Sequence, residues 1–149
     1  MRPGPVEQAI TVRSGIEHTF DVFVRRLDRW WPTHTHSLGL DRVERVVFEE
    51  EVGGRIYEVQ QDGTEATWGT VLAFDRPARF RMTWDIQRGT EVEVRFRSLG
   101  PALTRVELEH AGWDRLSMDD LAAATKRGSY DEGWSRVLSL FLREAEGQP

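Results

Sequence analysis

Between Arg79 and His110, apolar and polar residues take turns. Phe80, Met82, Trp84 and Ile86 alternate with Arg79, Arg81, Thr83 and Asp85. Val92, Val94 and Phe96 alternate with Glu91, Glu93 and Arg95, and "LTRVELEH" continues the pattern with Val106, Leu108 and His110. A period of two with one charged side predicts antiparallel strands that each have one wet face. "RVERVVFEE", "RIYEVQQ" and "TEATWGTVLAF" predict three earlier strands, and Val6 to Val12 an opening one. Gly53-Gly54 and Asp62-Gly63 supply the positive backbone angles of tight hairpins, and "DRPA" marks another turn. The strand from Glu65 leaves its inner face open: Trp68, Leu72 and Phe74 compete with Gly69, Val71 and Ala73.

Two segments change to helical spacing. In "SGIEHTFDVFVRRLDRWW", Phe20, Phe23, Val24, Leu27 and Trp31 recur on one face. Ser14 and Glu17 match a capping box at its start, and Pro32 ends it. Near the C-terminus, Tyr130, Trp134, Val137, Leu138, Phe141 and Ala145 form an apolar stripe. Ser129 with Glu132 predicts its cap, and Ser117 with Asp120 caps a short preceding helix that ends near Gly128.

The order is strand, helix, about six strands, long helix. An antiparallel sheet with one apolar face needs a cover, and the last helix has the matching face. The expected class is therefore α+β, with a curved antiparallel sheet of six or seven strands around the C-terminal helix. No linker or repeat divides the 149 residues, so they read as one domain. The net charge of −5 gives no electrostatic case for binding nucleic acid or an anionic membrane. The absence of cysteine excludes disulfides, thiolate metal sites and cysteine nucleophiles. The opening residues lack the apolar core of a signal peptide, and no segment has the length of a membrane span, so a cytoplasmic location is the expectation.

Three stretches carry a family resemblance. "VGGRIYEVQQDGTEATWGTVLAFDRPARFRMTW" resembles the central signature of the activator of heat-shock-protein-90 ATPase homologue family. "LEHAGW" with "YDEGWSRVLSLFLREAE" is similar to that family's ending, and "RWWPTHTHSLG" to its Trp-Trp-Pro segment. The resemblance covers nearly the whole chain in order. It implies the START-like (SRPBCC) superfamily with its helix-grip fold, in a single-domain bacterial form. Superfamily members mostly bind hydrophobic small molecules, and some are polyketide aromatases or cyclases. The relatives that activate a chaperone ATPase do so with an additional domain, so that activity is not carried over.

The stretch from Arg29 to Gly39 poses the chemical question. His34 and His36 have the look of metal ligands, but a catalytic zinc takes three protein ligands, and His18 and His110 lie elsewhere. No metal or cofactor is expected. The plain reading is a solvated loop; the favoured one is the rim of a pocket, with Trp30, Trp31, His34 and His36 at the entrance. His110 shares the inward register of Val106 and Leu108. It is either a core histidine satisfied by hydrogen bonds or a ring facing a ligand. Six tryptophans exceed what a simple core requires, since each buried indole needs a partner for its N–H. The run Glu49-Glu50-Glu51 points to alternate faces and reads as a solvated edge. Ser37 lacks the strand-turn-helix context of a nucleophile elbow.

The expectation is a non-catalytic binder of a hydrophobic or aromatic small molecule. Trp68, Met82, Trp84, Val94, Phe96 and His110 would line the pocket from the sheet, and Trp134, Leu138 and Phe141 from the helix. A cyclase- or hydratase-like enzyme using the histidines is the alternative, and a protein-interaction module a third. Ligand identity and oligomeric state stay open.

Overall fold

The structure is a computed structural model that describes residues 4–126 and 130–147. Its strands are β1 (Val6–Val12), β2 (Val43–Phe48), β3 (Arg55–Gln60), β4 (Glu65–Asp75), β5 (Arg79–Trp84), β6 (Thr90–Gly100) and β7 (Leu103–Ala111). Its helices are α1 (Ile16–Arg25), α2 (Leu27–Trp30), α3 (Met118–Lys126) and α4 (Tyr130–Glu146). The seven strands form one sheet in the order β1-β7-β6-β5-β4-β3-β2, antiparallel throughout. This is the α+β helix-grip architecture.

The alternation decides what goes inside. Phe80, Met82 and Trp84 on β5, Val92, Val94 and Phe96 on β6, and Val106, Leu108 and His110 on β7 are all buried. Their charged neighbours meet across the outer face, where Arg95 lies near Glu93, Glu107 and Glu109. The stripe on α4 buries Trp134, Val137, Leu138, Phe141 and Ala145 against the sheet and α1. Phe23 of α1 packs edge-on to Phe141 at 4.8 Å and to Phe96 at 5.8 Å. Burying one such ring is worth about 1.5–3 kcal/mol.

The undecided face of β4 has a structural cause. Pairing with β3 shifts register between Ile56 and Tyr57, and pairing with β5 shifts between Val71 and Ala73. These bulges put Trp68, Gly69 and Val71 inside and leave Leu72 exposed, so the strand follows neither simple alternation. Gly69 is required by a close approach: a Cβ there would lie 1.7 Å from the Thr83 carbonyl oxygen.

Local signals at the helices fared unevenly. Ser14 does not cap α1. The N-cap is Gly15, with no side-chain capping bond, and a Cβ at Gly15 would lie 2.9 Å from the Pro101 carbonyl oxygen. The Ser14 carbonyl instead accepts hydrogen bonds from the Thr104 and Thr19 hydroxyls. The helix expected to run through Trp31 breaks at Arg26, whose φ of −112° and ψ of 24° separate α1 from α2. Ile86 leaves the strand pattern and lies in a 3-10 turn, Asp85–Gln87. Ser117 accepts a hydrogen bond from the Asp120 amide at 3.1 Å, the expected cap of α3. Ser129, the expected cap of α4, and Gly128 lie outside the described residues.

Candidate functional site

One end of the grip is open. The loop after α2, the turn after β5 and the first half of α4 enclose a pocket of about 260 Å3. Its walls are Trp31, Thr35, His36 and Ser37 from the loop, Trp84 and Ile86 from the β5 end, and Tyr130, Gly133, Trp134 and Val137 from α4. Gly133 stands inside a helix, where glycine costs about 0.5–1 kcal/mol relative to alanine. Its missing side chain leaves space: the nearest atoms to a Cβ there are His36 Nε2 and Cδ2, at 3.8 and 3.9 Å.

The loop is tied at both ends. The Trp31 indole donates to the His36 carbonyl at 2.7 Å. The amides of Thr35 and His36 donate to the Pro32 carbonyl. Ser37 donates from its hydroxyl to the Thr33 carbonyl and accepts from the Leu40 amide. The second tie is Glu58, a fully buried carboxylate on β3. One of its oxygens accepts from the Leu38 amide and the Trp68 indole, both at 2.8 Å. The other accepts from the Gly39 amide at 2.7 Å and the Gln60 side chain at 2.9 Å. Burial opposes the charge, but the donors from Trp68, Leu38, Gln60 and Gly39 outweigh it and hold the carboxyl below its usual range. Sequence reasoning missed Glu58. The available signal was a carboxylate in the same strand register as buried Ile56.

His110 is the hub of a closed network. Thr90 donates its hydroxyl proton to the Gln87 carbonyl at 2.7 Å, so it accepts from His110 Nε2 at 2.8 Å. His110 Nδ1 accepts from the Trp134 indole at 3.0 Å. Both ring nitrogens are therefore engaged in the neutral form, and burial pushes the pKa down to about 3. A proton on Nδ1 would meet the Trp134 N–H head-on, which leaves this ring poorly suited to proton transfer.

The indoles sort in the same way. Trp30 donates to the Val22 carbonyl, Trp31 to His36, Trp68 to Glu58, Trp113 to the His110 carbonyl and Trp134 to His110 Nδ1. Trp84 alone among the six has a buried N–H with no hydrogen-bond partner among the described residues.

Of the residues expected at the site, Trp31, His36, Trp84 and Trp134 meet in the pocket wall. His34 is exposed and outside it. Trp30 is buried against Phe23 and Phe141. Trp68, Met82 and Val94 border a separate apolar void of only about 20 Å3, deeper between sheet and helix. Phe96, Leu138 and Phe141 are core, and His110 belongs to its network. Thr35, Ser37, Ile86, Tyr130, Gly133 and Val137 complete the wall and were not singled out for the site from the sequence. Among the described residues, no three His, Asp or Glu side chains gather as a metal site requires, and no helix is long and apolar enough to cross a membrane.

The family model described as activator of Hsp90 ATPase homolog 1-like protein matches residues 14–145. The chain belongs to this family. Solved structures agree with that membership. CalC from Micromonospora echinospora, described as a self-sacrificing resistance protein, is 26% identical with a TM-score of 0.69; the alignment covers 97% of this chain and 96% of that one. Txn09, an anthrahydroquino-gamma-pyrone synthase solved in complex, is 32% identical with a TM-score of 0.59, over 93% of this chain and 97% of its own. A family member from Aeromonas hydrophila, at 21% identity and a TM-score of 0.60 over 94% and 92% of the two chains, shares the fold. A search of curated proteins finds no match.

Proposed function

We propose that this family member binds a compact apolar or aromatic small molecule in the pocket between the loop and α4. The observation that carries the reading is the wall itself: three indoles, Trp31, Trp84 and Trp134, converge on space that a helix glycine leaves open. Mostly apolar walls with a few polar groups suit a small ligand, and about 260 Å3 falls just under the range of about 300–1,000 Å3 typical of drug-sized ligands. The likeness to Txn09 adds support, because its description names it a pyrone synthase, an enzyme that makes a small molecule.

A second reading, a cyclase- or hydratase-like enzyme, draws on His36. Its Nε2 borders the pocket without a hydrogen-bond partner among the described residues. Among the described residues no Asp or Glu lines the pocket beside it to orient or relay a proton, so binding without catalysis is favoured.

The test is to fill the space. Gly133→Leu should abolish saturable binding of a hydrophobic dye or apolar library ligand while circular dichroism stays unchanged. A mass spectrum of the native protein should show a co-purified small molecule in wild type and not in the variant. Undiminished binding in a folded Gly133→Leu protein would place the ligand elsewhere and sink the proposal.

A further inference from the structure

We propose that His110 is a positioning residue for the pocket: through one directed hydrogen-bond chain it fixes the Trp134 indole in the α4 wall relative to the turn that carries Ile86, and so sets the affinity of the site without touching the ligand. This inference rests on the ligand-binding reading above. Neither His110 nor Thr90, the next member of the chain, lines the pocket.

The chain runs in one direction only. The Trp134 indole donates to His110 Nδ1 at 3.0 Å, His110 Nε2 meets Thr90 Oγ1 at 2.8 Å, and the Thr90 hydroxyl donates to the Gln87 carbonyl at 2.7 Å. An indole N–H only donates and a carbonyl only accepts, so both ends are fixed and the proton between His110 and Thr90 sits on Nε2. Trp134, His110 and Thr90 are all buried, so water does not compete for these groups. Burial lowers the His110 pKa to about 3, so the neutral ring that the chain requires is the form present near neutral pH.

The chain joins two parts of the wall. Trp134 belongs to α4, and Gln87 closes the 3-10 turn Asp85–Gln87 that holds Ile86. The His110 ring also lies edge-on to Tyr130, with centroids 5.0 Å apart, and 5.8 Å from the Trp84 ring, two further wall residues. Trp113 packs against the same imidazole at 4.5 Å and donates its N–H to the His110 carbonyl. An indole presents either edge by rotating about χ2, and the bond to Nδ1 selects one. Without that bond, a share of the molecules holds Trp134 turned from its place in the wall, and the apparent affinity falls with that share. An apolar residue at position 110 would continue the inward pattern of Val106 and Leu108, but it would take from the buried Trp134 N–H its acceptor.

Thr90→Val tests the chain from its far end, because it alters no side chain in the pocket wall. Once the Thr90 oxygen is gone, His110 Nε2–H has lost its acceptor, and the other tautomer turns a proton on Nδ1 towards the Trp134 N–H. The variant should weaken binding of N-phenylnaphthylamine, a neutral hydrophobic dye, by about three- to tenfold, the scale of one hydrogen bond. In its NMR spectrum the Trp134 indole proton should move and the His110 nitrogens should depart from the Nε2–H pattern. Thr90→Ser keeps the hydroxyl and should restore affinity and both signals. Val106→Ala, a core truncation outside the pocket wall, should melt lower yet bind the dye as wild type does. Wild type gives a check that needs no variant to fold: the indole nitrogen of Trp134 and Nδ1 of His110 should show a scalar coupling across their hydrogen bond, with the imidazole proton on Nε2. The inference is overturned if wild type binds the dye and Thr90→Val binds it equally, or if Thr90→Ser is no better than Thr90→Val. It is also overturned if Val106→Ala weakens binding as much as Thr90→Val, or if wild type carries the proton on Nδ1. Each of these leaves the ligand-binding reading standing. If wild type binds neither the dye nor any member of an apolar library, both readings fall.

Discussion

Glu58→Gln tests the tie that positions the pocket loop. Two donors face each carboxylate oxygen: Leu38 N–H and the Trp68 indole on one, Gly39 N–H and the Gln60 amide on the other. Glutamine keeps one acceptor oxygen and replaces the other with a donor. Whichever way its amide turns, two of the four donors lose their acceptor and face an N–H. Hydrogen bonds to a charged group are worth about 1.5–3 kcal/mol each, so the gross loss is about 3–6 kcal/mol. Two terms reduce it. Removing a buried charge relieves its desolvation, and Leu38, at 46% exposure, sits where water can reach the released loop. A net loss of about 2–4 kcal/mol remains, which lowers the melting temperature by about 4–16 °C for a chain of this size. Exposed Glu44→Gln is the control and should melt with wild type. Hydrogen exchange gives the local readout: the Leu38 and Gly39 amides should lose protection before the sheet does. If Glu58→Gln melts with wild type and those amides exchange as before, the carboxylate does not hold the loop, and the account of how the pocket wall is positioned fails.

Other consequences follow from single contacts. The His110 pKa is depressed to about 3, so below its unfolded value of about 6.5 the unfolded chain binds a proton that the folded chain refuses. Stability is fully present above that value and falls with pH through the window down to about 3, by about 1.4 kcal/mol per unit; denaturant melts of His110→Phe should lose this slope, and an unchanged slope refutes the assignment. Gly133→Ala should raise stability by about 0.5–1 kcal/mol in a urea melt, because its Cβ meets His36 at an ordinary 3.8 Å; destabilisation would mean that the helix needs glycine for its backbone. Gly69→Ala should cost more than about 3 kcal/mol or prevent folding, since its Cβ would sit 1.7 Å from a backbone oxygen; a variant that melts like wild type would contradict the close strand approach.

The inner faces of β5, β6 and β7 were legible because each strand keeps one charged side against solvent. Period two then holds within each strand, over Arg79–Trp84, Thr90–Phe96 and Leu103–Ala111, and lapses only at the turns between them. The β4 face was not legible because two bulges add residues that no partner faces, at Trp68 and Leu72, and a periodic reading assumes none. Glu58 was hidden for another reason. A buried carboxylate runs against the hydrophobic pattern, and two of its four donors come from Leu38 and Gly39, far from it along the chain. The Arg29 to Gly39 stretch could be recognised as unusual, yet nothing in its spacing says that His36 borders a pocket and His34 does not. Gly133 did carry a usable signal, since a glycine within a helical stripe points to a packing or functional reason.

The pocket lies at the end of the grip because of how the indoles stack. Trp31 is within ring-contact distance of Trp30, Trp68, Trp84 and Trp134, with centroids 5.1 to 6.2 Å apart. Rings at those separations fill the middle of the sheet-helix interface and leave a remnant of about 20 Å3 with apolar walls, too small and too dry for a ligand. Trp31, Trp84 and Trp134 border both that remnant and the outer pocket, so they form the partition between them. The same three residues thus set the depth of the site from within the core. Trp31 is also fixed to the loop through its bond to the His36 carbonyl, and the loop to the sheet through Glu58. A ligand larger than the pocket would have to displace Trp31, and with it the His36 carbonyl that holds its N–H. On the ligand-binding reading proposed above, the architecture therefore favours a ligand that fits the outer space and leaves the partition in place.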